Sequence, residues 1–301
     1  MLGFAFLSTF TTGDDVVGPD QEEPFQTTDN DDTIIAVSDS VPNGTLNPND
    51  IIDGGDGHDT LQVEMKANFN GFNADKGLTS VEAVELTNTT SFDRTFNAKN
   101  IEDVQNWTID AGARSFNLTN LAEIPSVIEL TQSDRTFKAT FAEEVLDGDN
   151  DELKVALNEV GSDDKSVKIE VTPDGTEALE VVSVEAIADT SNNINLAGTA
   201  VETINLSGAG DLKITAVDAG LEVFNGSGMT GDINADLSGA TVEEVSGGAG
   251  DDTIKVSKAD QEAVFSGGDG NDNLILNVGG SKIKGNLDPT INGFQTLTLD
   301  L

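Results

Sequence analysis

Hydrophobic and polar residues alternate along most of this chain, and the alternation predicts short β-strands with one buried face. Val84 and Leu86 in LTSVEAVELT, with Val81 ahead of them, show the pattern. Phe116-Asn117-Leu118, Leu153-Lys154-Val155-Ala156-Leu157 and Val167-Lys168-Ile169-Glu170-Val171 repeat it, with Thr, Ser and Asn at many polar positions. Residues 66–180 therefore read as strands of a sheet or sandwich with one wet face. Helical periodicity is weak, and one short helix is placed near Ala139 to Leu146. From about 180 to 280 the strands themselves recur. VETINLSGAGDLKI from Val201, LEVFNGSGMTGDINADL from Leu221, VEEVSGGAGDDTIKV from Val242 and AVFSGGDGNDNLIL from Ala263 align as strand, Gly/Ser turn, strand, with a period of 20 to 22 residues. A stretch from Val184 to Leu196 fits more loosely. A fixed period of this size signals a solenoid, in which no rung buries its apolar face alone and stacking makes a continuous core.

Three turns in the chain share one spelling, G-G-x-G-x-D-x-hydrophobic-x. They are Gly54 to Gln62 (GGDGHDTLQ), Gly247 to Lys255 (GGAGDDTIK) and Gly267 to Ile275 (GGDGNDNLI). This is the nonapeptide of calcium-binding parallel β-rolls. Glycine reaches backbone angles that turn carbonyl oxygens inward, and aspartate adds a carboxylate. Ca²⁺ takes about six to eight such oxygens. The candidate ligand turns are Gly54, Gly55, Asp56, Gly57 and Asp59; Gly247, Gly248, Gly250 and Asp252; and Gly267, Gly268, Asp269, Gly270 and Asp272. Asp50 and Asp53, next to the first turn, are added as candidate ligands. Gly247 and Gly267 lie 20 residues apart, about one coil, so their turns should stack on one edge with Ca²⁺ between them. The opposite turn, Lys258-Ala259-Asp260-Gln261, lacks the pattern, which places calcium on one edge only. The turns at Gly208-Ala209-Gly210 and Gly226-Ser227-Gly228 lack the full Asp pattern and read as metal-free or weak. Asp147-Gly148-Asp149-Asn150-Asp151 has the spacing of an EF-hand start. Glu152 stands where that loop needs Gly and Asn158 where it needs Glu, so the EF-hand reading fails. A degenerate calcium turn and a plain acidic hairpin remain the alternatives there.

Charge sharpens this picture. The chain carries 55 acidic and 15 basic residues, a formal charge of −40. Nucleic acid and anionic membranes are excluded as partners. Such a charge often accompanies disorder. Here 37% of residues are hydrophobic and ordered in period, which fits a fold whose self-repulsion is relieved by bound cations. No cysteine is present, so metal rather than sulfur must do any stapling. Aromatics are few, with one tryptophan and no tyrosine, and Trp107 reads as a core or packing residue. MLGFAFLSTF is apolar but lacks the basic flank and cleavage site of a signal peptide. No stretch reaches the roughly 18 apolar residues of a membrane span. Acidic pairs such as Asp14-Asp15 and Glu22-Glu23 read as solvated loops.

The nonapeptides resemble those of RTX proteins. TTGDD near the start, DNDDTIIA, TLNPNDIIDGGDGHDTLQV, the V-E segments LTSVEAVEL and AVETINL, and SGMTGDINADLSGATVEEVSGGAGDDTIKV together resemble RTX-type S-layer proteins of Gram-negative bacteria. The resemblance covers most of the chain loosely, and only the nonapeptides are specific. It implies a secreted protein exported by a type I apparatus with an uncleaved C-terminal signal. It also implies that calcium drives folding and lattice assembly outside the cell. The end, INGFQTLTLDL, departs from the family by stopping on a strand-like repeat.

The expected architecture is all-β. An Asp/Gly-rich calcium-binding segment (1–65) leads into a β-strand-rich region (66–180) and a calcium-stapled parallel β-solenoid (181–301). The expected function is a secreted structural protein that assembles with copies of itself and Ca²⁺ into a surface layer or extracellular lattice. Surface polysaccharide is a candidate further partner, and membrane insertion is not expected. The alternative is a calcium-dependent adhesin or carbohydrate-binding module, weakened by the shortage of aromatic platforms. An enzyme is not expected. His58, the only histidine, sits in a nonapeptide turn, so neither H-E-x-x-H nor a serine triad elsewhere in the chain can be built without it, and G-x-S-x-G is absent.

Overall fold

The computed structural model describes residues 7–9, 16–17, 27–40, 43–172, 178–187, 190–257, 259–277 and 289–300. The Asp14-Asp15 and Glu22-Glu23 pairs, the TTGDD segment and Lys258 lie outside them. Among the described residues every regular element is a β-strand, so the fold is all-β. The stretch near Ala139 to Leu146 is not a helix. Phe137–Phe141 is a strand with Phe137, Ala139 and Phe141 buried, paired in parallel with Phe116–Leu121. Apolar side chains two apart fit a pleat, and the neighbouring strand supplies the partners that a lone helical turn would lack.

The chain forms two compact units, one built on Met1–Leu146 and the other on Asp147–Thr172 with Glu177–Leu301. Each is a parallel β-solenoid. A strand pairs not with the next strand in sequence but with the one after it, because the intervening strand lies on another face of the coil. In the first unit Leu7–Thr9, Thr33–Ser38, Thr60–Met65, Ala83–Thr87, Asn106–Asp110 and Val127–Thr131 make one sheet. Arg94–Asn97, Phe116–Leu121 and Phe137–Phe141 make a second, and Val16–Val17, Ile51–Asp53 and Leu78–Thr79 a third. The strands within 66–180 do alternate buried and wetter positions, and their pairing is parallel.

Parallel register puts like side chains above one another. Ile34, Leu61, Val84, Trp107 and Ile128 are successive partners and form one inward column. Ala36, Val63, Leu86, Ile109 and Leu130 form the next. The interior holds a cluster in which Phe96 lies 5.0 Å from Phe69 and 5.8 Å from Trp107 between ring centroids. Phe69 meets Phe72 edge to face at 5.0 Å. Arg94, also buried, meets no carboxylate among the described residues; its Nε donates to the carbonyl of Met65 at 3.2 Å and Nη1 to that of Asp93 at 3.1 Å.

The second unit has the regular period. Val182, Ile204, Phe224, Val245 and Phe265 make one inward column, in rungs 22, 20, 21 and 20 residues apart. On the other sheet Ile194, Ile214, Ala235, Ile254 and Leu274 make another. Outward positions stack too. Ser183, Asn205, Asn225, Ser246, Ser266 and Asn292 are aligned across six rungs. Asn225 Nδ2 donates to Asn205 Oδ1 at 3.2 Å, and the Ser246 hydroxyl donates to Asn225 Oδ1 at 3.1 Å.

Trp107 is 2% exposed and central to the first unit. Trp107→Ala should cost about 3–5 kcal/mol of unfolding free energy. Denaturant titration followed by circular dichroism should show this, whereas Thr108→Ala, on the outward side of the same strand, should stay within about 0.5 kcal/mol of the parent.

Candidate metal centre

Stacking places the two nonapeptide turns of the second unit one coil apart, as their spacing predicts. Gly247 N donates to the carbonyl of Ser266 at 2.8 Å, and Asp269 N to that of Gly248 at 3.0 Å. Gly270 has φ +109°, and a side chain there would strike the carbonyl of Gly250. Each turn thus lays its backbone directly on the preceding one.

The sixth residue of each nonapeptide turns inward. Asp252 and Asp272 are fully buried. They stand immediately before the aligned residues Thr253 and Asn273. One rung earlier, the position aligned with Asp252 is Ile233, and before that Leu212, both buried. The same inward site therefore takes leucine, isoleucine, aspartate and aspartate in successive coils. The carboxylates are held by amides. Asp252 Oδ1 accepts from Ile233 N at 2.8 Å, and Oδ2 from Gly248 N at 2.7 Å. Asp272 Oδ1 accepts from Asp252 N at 2.9 Å, and Asp272 N donates to Gln295 Oε1 at 2.5 Å. Asp272 Oδ2 is buried without a partner.

The first unit repeats this arrangement. Asp59 is fully buried; its Oδ1 accepts from Asp32 N at 2.7 Å, and its own amide donates to Glu82 Oε2 at 2.8 Å. Asp59 Oδ2 has no partner either. A methyl group added at Gly54 would lie 2.7 Å from that oxygen, and one added at Gly267 would lie 2.7 Å from Asp272 Oδ2. Glycine at the first nonapeptide position keeps open the space beside the free carboxylate oxygen.

The charged forms are strained. Burial, opposed by the Asp32 amide and reinforced by the charges of Asp32, Glu82 and Asp31, pushes Asp59 up to about 6. Burial likewise pushes Asp252 up to about 6 against its two amide donors, with Asp272 and Asp232 adding repulsion. Asp272 is raised by burial and by the charges of Asp251 and Asp269. A buried anion with an unfilled oxygen calls for a proton or a cation. Among the described residues no three carboxylate or imidazole side chains converge on one point. A bound ion would draw one or two carboxylates per turn and take its other oxygens from the stacked carbonyls. That donor set suits a hard cation such as Ca²⁺ rather than a thiolate- or imidazole-seeking metal.

Not every candidate ligand joins these turns. Asp50 is buried, and its Oδ2 accepts from Asn47 N at 2.6 Å, closing a local turn. Asp53 Oδ1 takes the amide of Gly55 at 3.2 Å. Asp56 and Asp269 are exposed, and Gly55, Gly57 (φ +124°) and Gly268 shape the backbone. Asp151 Oδ2 accepts from Gly148 N at 3.1 Å, and the strand that follows pairs in parallel with Val181–Ala186, so the segment is not a hairpin. Spelling alone missed Asp32. Thr27 to Ile35 (TTDNDDTII) occupies the register of Gly54 to Gln62 with Thr33 on Thr60, so it is the same turn without its glycines. It also missed an outer ladder, in which Asp211 Oδ1 takes the amide of Asp232 (3.1 Å), Asp232 Oδ1 that of Asp251 (2.8 Å) and Asp251 Oδ1 that of Asn271 (2.9 Å). No protein-family model, curated protein or solved structure matches the chain.

The raised values fix the direction of a pH effect. A carboxyl whose folded pKa lies above its unfolded value of 3.8 stabilises the fold most when both states are protonated. That contribution is lost as pH rises through about 6. In excess chelator the melting temperature should therefore be higher at pH 5 than at pH 7.5, the reverse of ordinary acid denaturation. Differential scanning calorimetry across that range tests this, and Asp252→Asn should flatten the slope.

Proposed function

We propose that this chain is a secreted structural protein that folds on binding several Ca²⁺ ions and assembles with copies of itself into a surface layer. The observation that carries the reading is the inward site occupied by Leu212 and Ile233 in two coils and by Asp252 and Asp272 in the next two. The coil closes without a carboxylate there. Burying one costs several kcal/mol unless it is compensated, so an aspartate at that site is best explained by something it binds. Ca²⁺ would be held by Asp252, Asp272 and the stacked glycine carbonyls in one unit, and by Asp59 with Asp32 in the other. It would supply the positive charge that the buried carboxylates and the formal charge of −40 lack. In a cell with little free calcium such a chain stays expanded. Extracellular modules bind at about 10⁻⁴–10⁻³ M, so it folds after export, when binding free energy becomes folding free energy. Resemblance to RTX-type S-layer proteins supports the same reading, as does the uncharged Ser/Asn column on the outside of the second unit. No catalytic role is part of the proposal.

Circular dichroism and calorimetry with millimolar Ca²⁺ and with chelator test the folding claim. Ca²⁺ should raise the melting temperature. Asp252→Asn, which keeps an oxygen for the Ile233 amide, should lose much of that rise. Asp252→Ala should in addition lose about 1–3 kcal/mol for each amide left unpaired. An identical melt with and without the ion would sink the reading. Electron microscopy of the calcium-loaded protein tests assembly, for which sheets or filaments are the expected result and dispersed monomers the contrary one.

A further inference from the structure

The last described coil of the second unit is built like its neighbours but left open on one side. Strand Thr290–Asn292 pairs in parallel with Ala259–Ser266, and Phe294–Asp300 with Asp272–Asn277. Each is an outermost strand of its sheet. Register carries the inward columns on into both strands. Ile291 follows Phe265, Leu297 follows Leu274, and Leu299 follows Leu276. Phe265 and Leu274 are buried, whereas Ile291, Leu297 and Leu299 are 39%, 54% and 58% exposed. Among the described residues nothing lies over them. Three core positions therefore stand open, beside two strands whose outer backbone edge has no strand next to it.

An open strand edge is a template for another strand, and proteins that keep one free place lysine or proline along it. Phe294–Asp300 (FQTLTLD) has neither, and its one register shift comes at Gln295, before the regular run from Thr296 to Asp300. Charge narrows the occupant. Asp300 is the only charged residue among the eleven from Thr290 to Asp300, in a chain that is 23% charged and carries −40. Two chains of that charge repel, so contact between copies favours a surface with few charges. The strand is also its own complement. In antiparallel pairing, residues directly opposite share a face. A two-fold axis at Thr298 sets Leu297 opposite Leu299 of the second copy, and Leu299 opposite its Leu297, on the apolar side. On the other side Thr298 meets its own twin and Thr296 meets Asp300, so no like charges face each other. An axis at Leu297 would instead set Leu299 against Gln295.

We propose that this open coil is an interface between two copies of the chain, joined two-fold by antiparallel pairing of Phe294–Asp300 about Thr298. It rests on the reading that copies of the chain associate, and it names one contact by which they do. Ile291, on the other strand of the coil, comes under the same cover. A two-fold contact closes at a dimer, so a sheet or filament needs a further contact elsewhere on the molecule.

Sedimentation velocity of the whole chain in millimolar Ca²⁺ should show a dimer whose share grows with protein concentration. Added salt should strengthen it, because screening weakens the repulsion between two acidic bodies. Leu297→Lys combined with Leu299→Lys sets like charges opposite each other and should weaken the dimer ten-fold or more. Both side chains are more than half exposed, so the calcium-dependent melt should not change. The chain has no cysteine, so a single introduced thiol reports the axis. Thr298→Cys brings two thiols together at a Cα separation of about 4.5–5.5 Å, within disulfide reach, and mild oxidation should give a covalent dimer. Thr296→Cys leaves its two thiols four residues apart along the strand, roughly 13 Å, and should give none. A monomer up to about 100 µM, a dimer unmoved by the paired lysines, or cross-linking at Thr296 and not at Thr298 would each overturn the proposal. Dimers without sheets or filaments would sink the surface layer and leave this contact standing, whereas sheets undiminished in the lysine variant would do the reverse.

Discussion

An inward-facing position of a parallel coil leaves few choices for its side chain. Neighbouring rungs sit one strand spacing above and below, about 4.8 Å away, so the site is closed to water from both sides. Leu212 and Ile233 meet that constraint by contributing apolar burial, worth about 1.5–3 kcal/mol each. Asp252, Asp272 and Asp59 reverse the sign. Amides from the adjacent coil occupy some of their oxygens, which is why the backbone tolerates them at all. One oxygen each on Asp59 and Asp272 stays empty, and the charges on Asp32, Asp232 and Asp251 lie close by. The outcome is a coil whose interior is complete in shape and incomplete in charge. The glycines at the head of each turn belong to the same constraint, since any side chain at Gly54 or Gly267 would fill the space left beside the free oxygen.

Much of this was legible in the residues. The Gly247 and Gly267 turns stack as their 20-residue separation implies, and the aligned rungs from Val182 to Phe265 follow the period read from the repeat. Alternation alone found the buried positions of Val84, Leu86, Phe116, Leu118, Val167 and Ile169. The first unit hid its winding because its rungs differ in length. Thr33 pairs with Thr60, 27 residues on, while Asn106 pairs with Val127 after only 21. A solenoid tolerates such variation in its turns as long as the strands keep register, but a search for a fixed period does not. The turn at Thr27 to Ile35 was obscured because it keeps the carboxylate and drops the glycines. The helix placed near Ala139 failed because a few apolar residues at mixed spacing support either element, and the parallel neighbour decided the matter. The loop laid across Asn193, whose amide donates to the Val160 carbonyl at 2.8 Å and whose Nδ2 donates to the Ser162 carbonyl at 2.7 Å, left no mark in the sequence. Two adjacent asparagines look like surface residues until a distant segment is laid across them.

One outward column of the second unit differs both from the interior and from the stacked Asp211, Asp232 and Asp251. The interior columns are apolar, whereas the aligned Ser183, Asn205, Asn225, Ser246, Ser266 and Asn292 are small, neutral and bonded to one another in places. Repetition in register would stack like charges at one strand spacing, so a column of carboxylates is costly there. Uncharged hydrogen-bonding side chains turn the same repetition into a ladder. Within a chain of such negative charge, that column is a run of six uncharged side chains.

Linkage between successive coils also has a mechanical side. In the second unit each rung is joined to the next by backbone rows, and two buried carboxylates reach from one rung to another, Asp272 to the Asp252 amide and Asp252 to the Ile233 amide. Force applied perpendicular to the strands loads these joints in series. Rungs then peel away singly, and the 20 residues between Thr203 and Val223 pay out roughly 70 Å of thread at about 3.4 Å per residue. The rungs joined by Asp252 and Asp272 carry a side-chain bond beside their backbone rows, so the coil lets out its thread through joints of unequal make.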